Sequence, residues 1–234
     1  KASLEAGAKI FENTAAIKYK IHNNYVRVKT QNGSIKADRV ILACNGYLEN
    51  LEKRLTSKIL PMNNYIIATK PLDDETVNKI NPRDIAFADS RFVINYFRLS
   101  ADKRLLFGGG ENYSKELSKN IVPIVTKPLE KIYPFLKGIK IDYAWGGKLA
   151  ITMNRLPFFT TLHDDKVISA QGYSGQGVAL ASYSGKIVSE KITGNGETFD
   201  IMSSIPRQSF PGGRFLRNPS MKIGMLYYSL LDRI

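Results

Sequence analysis

The sequence contains one cysteine, two histidines and one tryptophan in 234 residues. A single cysteine, Cys44, cannot form a disulfide within the chain, which suits a reducing compartment. Neither His22 nor His163 lies beside a serine or cysteine in a recognisable catalytic motif, so no hydrolase triad is expected. The Cys-x-x-Cys and His-Glu-x-x-His patterns are also missing, which argues against the common zinc sites. Reactivity that these side chains lack would have to come from a bound cofactor.

Long apolar runs are missing as well. No run reaches the roughly 18 residues that a membrane-spanning helix needs, and no signal peptide is visible. The formal net charge is +13 and the isoelectric point is about 9.7, a balance found in proteins that bind nucleic acid or anionic surfaces. Here, however, the lysines are dispersed and lack the aromatic interleaving of a single-strand binder. We therefore expect a lysine-rich surface, with no nucleic-acid partner and no integral membrane span.

The order of patterns predicts a mixed fold, α/β plus α+β. Residues 1–59 and 145–200 have α/β character, 60–144 predict an antiparallel sheet with helices, and 201–234 form a tail. The Asn32-Gly33 pair predicts a hairpin turn. The apolar run from Arg39 to Cys44 predicts a strand buried on both faces.

Helices are predicted in four places. One is expected from Tyr47 to Leu55, and one from Ser118 to Tyr133 that Pro128 should kink. A third follows Gly177, and a fourth, basic and amphipathic, runs from Lys222 to the chain end. The face of the third helix expected to lie against a sheet has small and apolar residues: Val178, Ala181, Ser182, Gly185, Val188 and Ile192.

The stretch Gly172-Tyr173-Ser174-Gly175-Gln176-Gly177 lies between the apolar run Val167–Ala170 and the helix that follows. Glycines at this spacing let the backbone approach a flat or anionic ligand without an intervening Cβ, and helix-start N–H groups attract negative charge. The alternative is a tight turn that serves only helix–strand packing. The stretch is not a complete dinucleotide fingerprint, which needs a further strand with an acidic residue.

Several motifs together resemble one family. They are Ala43–Gly46, Gly172–Gly177, Tyr143–Gly147, Ile151–Pro157 and Phe210–Arg217. The combination resembles the D-amino-acid-oxidase-like FAD-dependent oxidoreductases, most of all their gamma-glutamylputrescine oxidase branch, and runs from Leu4 to Ile234. The resemblance implies the C-terminal part of a glutathione-reductase-like FAD-binding domain, interleaved with an antiparallel-sheet substrate domain.

The resemblance implies FAD as the cofactor and a set of residues that contact it. Ala16 would approach the adenine, and Ala43 and Gly46 would pass near the adenosine and pyrophosphate. Arg155 would lie near the flavin ring, unless it forms only an ion pair. The pyrimidine edge would face Gly172, Ser174, Gly175, Gln176 and Gly177.

The resemblance also reveals departures from the family pattern. The N-terminal Gly-x-Gly-x-x-Gly is absent, so we expect a fragment that binds FAD poorly and is inactive alone. Gln176 stands where many relatives carry histidine.

Substrate is expected over the opposite flavin face, beneath the antiparallel sheet. Tyr96 and Arg98 share one strand face, and Arg98 would pair with a substrate carboxylate. Trp145 would form a wall of the site. The alternatives are that Tyr96 packs within the sheet, that Arg98 is solvated and that Trp145 anchors a core. No catalytic side chain is identified.

The expected activity is oxidation of a C–N bond in an amine or amino acid, with hydride transfer to flavin, imine hydrolysis and reoxidation by oxygen. A cytoplasmic enzyme of putrescine catabolism would fit. The alternatives are a flavin dehydrogenase that passes electrons to a carrier, and a non-enzymatic basic module that binds nucleic acid or membrane.

Overall fold

Eleven strands and six helices form the described part of the chain, which in this computed structural model comprises residues 1–91, 94–110, 116–213, 216, 219, 220 and 222–224. The strands are β1 Ala16–Ile21, β2 Val26–Thr30, β3 Ser34–Ala37, β4 Val40–Leu42, β5 Leu60–Thr69, β6 Phe87–Ala88, β7 Tyr96–Leu99, β8 Leu105–Gly108, β9 Ile141–Ile151, β10 Phe158–Leu162 and β11 Val167–Gln171. The helices are α1 Ala2–Glu5, α2 Lys53–Thr56, α3 Asp74–Ile80, α4 Val122–Ile132, α5 Gly177–Ile192 and α6 Glu197–Ser204. This mixture of helices with antiparallel and parallel strands confirms the expected fold class.

The first sheet joins segments that are far apart in sequence. Its order is β10-β11-β4, with β10 antiparallel and β4 parallel to β11. Ile41 is opposite Ile168 in the parallel pair. α5 and α6 cover one face, where Phe159, Ile187 and Phe199 are buried. The carboxyl ends of β4 and β11 therefore lie side by side.

The second sheet has five antiparallel strands in the order β6-β7-β8-β5-β9. One face is covered by α4 and contains a core that includes Tyr65, Phe107 and Leu129. β9 continues without a break from this sheet to Ile151, through the boundary predicted at residue 144. The domain boundaries remain a prediction.

The third sheet is a meander, β1-β2-β3, whose second turn contains the predicted Asn32-Gly33 pair. Tyr19 and Ile21 of β1 pack against the core formed by β4 and β11. The phenolic O–H of Tyr19 donates a hydrogen bond to the carboxylate of Glu52.

Two helix predictions were wrong in detail. The predicted helix from Tyr47 to Leu55 is a 3-10 turn at Asn45–Tyr47 followed by the short α2. Glu49 interrupts it with φ of +46°, and the carboxylate of Glu52 starts α2 by accepting from Arg54 N at 3.0 Å. In the second helix, α4 begins only at Val122 and continues through Pro128.

The strand predicted to carry Tyr96 and Arg98 is β7, and residues 92 and 93 before it lie outside the described residues. Residues 225–234 of the predicted tail helix also lie outside them.

One burial prediction was wrong, and a second was wrong in part. β4 is not buried on both faces, because Ile41 is 47% exposed while Leu42 is buried. In α5, Val188 of the predicted face is buried against the sheet and Ile192 packs against the same core, but the other buried residues are Ser184 and Ile187. Val178 is 99% exposed, and Ala181, Ser182 and Gly185 are exposed too. Ile187 and Val188 supply most of the apolar area that the helix buries against the sheet.

Candidate functional site

The glycine loop, Gly172–Gly177, connects the end of β11 to the start of α5. Gly172, Ser174 and Gly175 have φ of +76°, +51° and +95°, in the left-handed region that favours glycine. A Cβ on Gly172 would lie 2.6 Å from Cγ2 of Thr152, whereas a Cβ on Gly175 would meet no atom of the described residues within 4 Å. Gly172 is therefore required by packing, and Gly175 leaves an open approach to the backbone.

The ends of two strands, β4 and β9, hold the loop in place. The amide of Gly172 donates to Oδ1 of Asn45 at 3.1 Å, which ties the loop to the end of β4. The amide of Ser174 donates to the carbonyl of Ala150 in β9 at 2.9 Å. The hydroxyl of Ser174 accepts from the amide of Thr152 at 3.3 Å. The loop conformation is thus fixed from the sides of β4 and β9.

α5 begins at Gly177, the last residue of this loop. Its N-cap residue, Gln176, makes no capping hydrogen bond through its side chain and is exposed. The N–H groups of the first helical turn have no partner within the helix, and the aligned peptide dipoles give this end partial positive charge. Gly175, Gln176 and Gly177 therefore form a surface that can stabilise negative charge on a ligand.

Other residues predicted to contact the cofactor lie near this loop. Ala43 is exposed where β4 ends. Gly46 is buried, and a Cβ there would lie 2.6 Å from the carbonyl oxygen of Lys148, so packing against β9 accounts for this glycine. Arg155 is exposed with φ of +61°, and its amide donates to the carbonyl of Thr152 at 3.2 Å. Ala16 lies apart, exposed at the start of β1 in the meander.

Tyr96, Arg98 and Trp145 share the open sheet face, which we define as the side of the five-stranded sheet opposite α4. Tyr96 is opposite Gly108, Gly108 is opposite Ile66, and Ile66 is opposite Trp145, so these positions point to one side. The hydroxyl of Tyr96 donates to Oδ1 of Asn64 at 2.5 Å. Trp145 is 46% exposed, which contradicts a role as a buried core anchor.

Arg98 is exposed on this face, and its Nε donates to the carbonyl of Leu99 at 3.1 Å. β9 connects the open sheet face to the glycine loop. Trp145 and Ala150 are separated by about 16 Å of extended strand.

The largest pKa shifts among the described residues lie away from this site. Arg54 hydrogen-bonds the carboxylate of Glu52 and lowers its pKa to about 2. Burial, followed by the hydrogen bond to Glu52, raises the pKa of Tyr19 to about 12. Nearer the glycine loop, burial raises the pKa of the Cys44 thiol, so it stays protonated at neutral pH and is a weak nucleophile.

No cluster of His, Cys, Asp or Glu among the described residues has the arrangement of a metal site. Within the same residues, no helix combines the length and the apolar character needed to cross a membrane. His22 stacks on Tyr25, and Nε2 of His163 lies 2.7 Å from a guanidinium nitrogen of Arg54, so both imidazoles have structural contacts.

Sequence reasoning missed the residues that shape the loop. Asn45 adopts φ of +47° three residues after the end of β4, and an asparagine there, which tolerates this conformation, was the available signal. Thr152 had no signal, because the loop residues that it contacts, Gly172 and Ser174, are 20 or more residues away in sequence. Gln171 is fully buried, and neither amide atom of its side chain has a hydrogen-bond partner among the described residues. Such a residue cannot be recognised without the fold.

The DAO family model, described as FAD dependent oxidoreductase, matches residues 1–191. The gamma-glutamylputrescine oxidoreductase of Escherichia coli (strain K12) is 36% identical over 97% of this chain and 53% of its own. A probable oxidoreductase, OrdL, from Rhizobium meliloti (strain 1021) is 39% identical over 97% of this chain and 53% of its own. The chain therefore spans about half the length of the curated relatives that it matches.

Solved structures show the same fold. The L-proline dehydrogenase from P. horikoshii matches with a TM-score of 0.67 at 25% identity, covering 85% of this chain and 54% of that one. The glycine oxidase from Geobacillus kaustophilus matches with a TM-score of 0.70 at 18% identity, covering 88% of this chain and 55% of that one.

Proposed function

The chain belongs to the DAO family of FAD-dependent oxidoreductases, and from that premise we propose that it forms part of an enzyme that oxidises the C–N bond of an amine or amino acid. FAD is the cofactor of this family. The observation that carries the proposal is the glycine loop at the uncapped N-terminus of α5, next to the end of β4. The enzyme would act in the cytoplasm, since a chain with one cysteine suits a reducing compartment.

The residues present fit a flavin. The open space beside Gly175 lets a planar ring approach the backbone, and the exposed start of α5 offers N–H groups to its pyrimidine edge. Gly172, Ser174, Gln176 and Gly177 would complete this contact. Arg155 would lie near the ring, because its amide is bonded to Thr152, which also contacts Ser174.

The adenosine side of the cofactor is proposed along Ala43, Gly46 and Ala16. Ala43 is the best supported of these, since it is exposed at the carboxyl end of a parallel strand, where cofactors bind in open α/β sheets. Packing against β9 is enough to explain the glycine at position 46 without a cofactor contact. The contact of Ala16 rests on the resemblance alone.

The flavin, when bound, supplies the acceptor for the hydride equivalent removed from the carbon beside the amine nitrogen. The chain's own contribution is electrostatic. Partial positive charge at the start of α5 favours the form of the cofactor that carries negative charge at its pyrimidine edge. The imine product would then hydrolyse in water, and oxygen is the proposed final electron acceptor.

The proposed substrate is an amine that also carries a carboxylate, similar to gamma-glutamylputrescine. Arg98 would bind the carboxylate, because guanidinium pairs with carboxylate through two parallel hydrogen bonds. Tyr96 and Trp145 would contact the carbon chain from the same sheet face. An enzyme of putrescine breakdown would meet this description.

The test begins with the complete gene product, purified from cells that supply flavin. A yellow protein with a flavin absorption spectrum is expected, and a colourless protein contradicts the proposal. With gamma-glutamylputrescine as substrate, hydrogen peroxide formed in equal amount to the product supports an oxidase. Product without peroxide supports a dehydrogenase that uses a carrier.

Arg98→Leu tests the substrate assignment. We expect KM for the carboxylate-bearing amine to rise at least about tenfold, while the activity on free putrescine is unchanged. Arg83→Leu is the control, since Arg83 is an exposed arginine outside the open sheet face. An equal effect of Arg98→Leu on both amines would contradict a carboxylate contact.

A further inference from the structure

The outer side of the meander β1-β2-β3 carries five cations and no carboxylate. We define the basic face as Lys18 and Lys20 of β1, Arg27 and Lys29 of β2, and Lys36 of β3, all of which are exposed. Lys18 is opposite Lys29 in the antiparallel register, and Arg27 is opposite Lys20 on one strand and Lys36 on the other. Residues directly opposite each other point to the same side of a sheet, with Cβ atoms about 5 Å apart. The five cations therefore share one side of three strands.

The inner side of the meander packs onto the protein. Tyr19 and Ile21 contact the core around β4 and β11, and Val26 is fully buried. Because side chains alternate between the two sides of a strand, the basic face is directed away from that core. Lysines that are dispersed along the sequence thus come together in the fold, since the two-residue period of each strand places them on one side.

The folded chain does not neutralise this charge. No aspartate or glutamate lies between Glu12 and Asp38 in the sequence. In the part of the chain that the structure describes, none of the five cations forms a salt bridge with a carboxylate. Like charges directly opposite each other destabilise a sheet. An anionic partner would offset that repulsion, so the basic face is suited to one.

The composition of the basic face disfavours a protein or a nucleic-acid strand as that partner. Stable protein interfaces have an apolar centre in which lysine is depleted, and the basic face has no apolar side chain. Proteins that bind single strands stack bases on aromatic rings. The ring of Tyr25, at the end of the basic face, is stacked on His22 with ring centres 4.4 Å apart, and Nζ of Lys36 lies 4.5 Å from its centre. That ring is already occupied by contacts within the chain.

We propose that the basic face binds the surface of an anionic lipid bilayer through contacts with the headgroups. A bilayer surface is flat, as the sheet is, and its headgroups move to meet the charges. Four of the five cations are lysines, whose compact charge on a flexible stem suits such mobile partners, whereas arginine is preferred for phosphates held in a fixed geometry. Each cation near an anionic bilayer strengthens binding about fivefold, so five together supply about a thousandfold.

The test uses the complete gene product and sedimentation with lipid vesicles. Binding is expected to vesicles of phosphatidylcholine with about 30% phosphatidylglycerol, and not to vesicles of phosphatidylcholine alone. The bound fraction should disappear in about 1 M salt, where the Debye length falls to about 3 Å. The proposal does not depend on the flavin or on the substrate.

A pair of double variants tests the place of the charge. Lys20→Gln/Lys29→Gln removes two cations from the basic face and should weaken vesicle binding about 25-fold. Lys127→Gln/Lys131→Gln is the matched control, because it removes the same net charge from exposed positions on α4 and should leave the affinity within about twofold. Lys20→Arg/Lys29→Arg keeps the charge and should keep the binding. Circular dichroism verifies that each variant is folded.

Three results would overturn the lipid surface as the partner. One is the absence of sedimentation with the anionic vesicles at up to about 5 mM lipid. Another is equal weakening by the two glutamine double variants, which would mean that net charge alone acts. The third is tighter binding to single-stranded or duplex DNA than to the vesicles, lost in Lys20→Gln/Lys29→Gln and kept in the control, which would assign the basic face to nucleic acid. A colourless protein that sediments with the vesicles would contradict the proposed function and leave the basic face standing.

Discussion

Gly172 and Gly175 occupy the same left-handed backbone region but have different surroundings. Their φ angles are +76° and +95°. A Cβ at the first would overlap Thr152, while the space beside the second is empty. The glycine loop therefore contains one glycine that serves the packing of the protein and one that leaves space for a ligand.

Gly172→Ala should destabilise the chain by about 2–3 kcal/mol, because backbone strain and a steric overlap add together. Gly175→Ala is the matched control, with the backbone strain alone, and should cost about 1 kcal/mol. Urea unfolding followed by circular dichroism measures both. Equal losses for the two variants would show that the overlap with Thr152 is relieved by movement of the loop.

Glu52 is the buried centre of a polar cluster between the meander and α2. Its carboxylate accepts hydrogen bonds from Tyr19 and from Arg54, whose Nε lies 2.9 Å away. The hydrogen bonds from Arg54 lower the pKa of Glu52 from 4.5 to about 2. Because the folded pKa lies below the unfolded one, the carboxylate stabilises the fold above about pH 4.5, and this contribution is lost as pH falls towards 2.

Glu52→Gln should therefore flatten the dependence of the free energy of unfolding on pH. Between pH 5 and pH 2, protonation of Glu52 should lower the free energy of unfolding of the wild-type chain by up to about 3 kcal/mol. The variant has no carboxylate at this position, so its free energy of unfolding should fall by about 3 kcal/mol less over the same pH range. Tyr19→Phe removes one hydrogen bond but keeps the charge, so it should retain most of the wild-type slope. Parallel slopes for wild type and Glu52→Gln would rule out this role of Glu52.

At the scale of elements, α6 is attached to the first sheet mainly through Phe199. This ring is 1% exposed and packs edge-on against Phe159 of β10, with ring centres 5.6 Å apart. The outer side of the same helix carries Ile201, which is exposed. Attachment of α6 to β10 is thus concentrated in one aromatic side chain.

Phe199→Ala should cost about 3–5 kcal/mol, since it removes apolar burial and leaves a cavity. Ile201→Ala on the same helix should change the free energy of unfolding by less than about 0.5 kcal/mol. Guanidinium denaturation of both variants measures the difference. A small loss for Phe199→Ala would mean that Phe159 and its neighbours collapse into the vacated space.

Local sequence patterns predicted the positions of helices and strands better than they predicted which of their residues are buried and which strands are neighbours. Alternation and the Asn32-Gly33 pair sufficed for the β2–β3 hairpin, and the glycine stretch marked where α5 begins. The exposure of Ile41 was not predictable, because burial of β4 depends on β11, which is over 120 residues later in the sequence. The shared face of Tyr96 and Arg98 followed from the two-residue period of a strand, but the strands between them and Trp145 had to be seen in the structure.

In the molecule as a whole, β9 is the element that connects the two main sheets. It pairs with β5 from Ile141 to Ile151, contributes Ala150 to the core around β4, and accepts the amide of Ser174 at that residue's carbonyl. Trp145, the only tryptophan, lies on this strand. Because β9 contributes to both sheets, unfolding of one sheet is expected to disrupt the other.

Urea unfolding monitored by Trp145 fluorescence and by far-ultraviolet circular dichroism should therefore give coincident transitions. Trp145 reports on the five-stranded sheet, while circular dichroism is weighted towards the helices. Leu129→Ala, which weakens only the core of the five-stranded sheet, should shift both transitions together. Separate midpoints would show that the two sheets unfold independently in spite of β9.

The exposed Ile41 and Val178 also affect how the chain behaves at high concentration. A free strand edge beside bare aliphatic side chains is a template for aggregation, and natural proteins commonly protect such edges with charge. In this protein the net charge of the whole chain, +13, limits aggregation, because it makes the molecules repel one another. Added salt screens that repulsion, so concentrated solutions should become turbid as ionic strength rises.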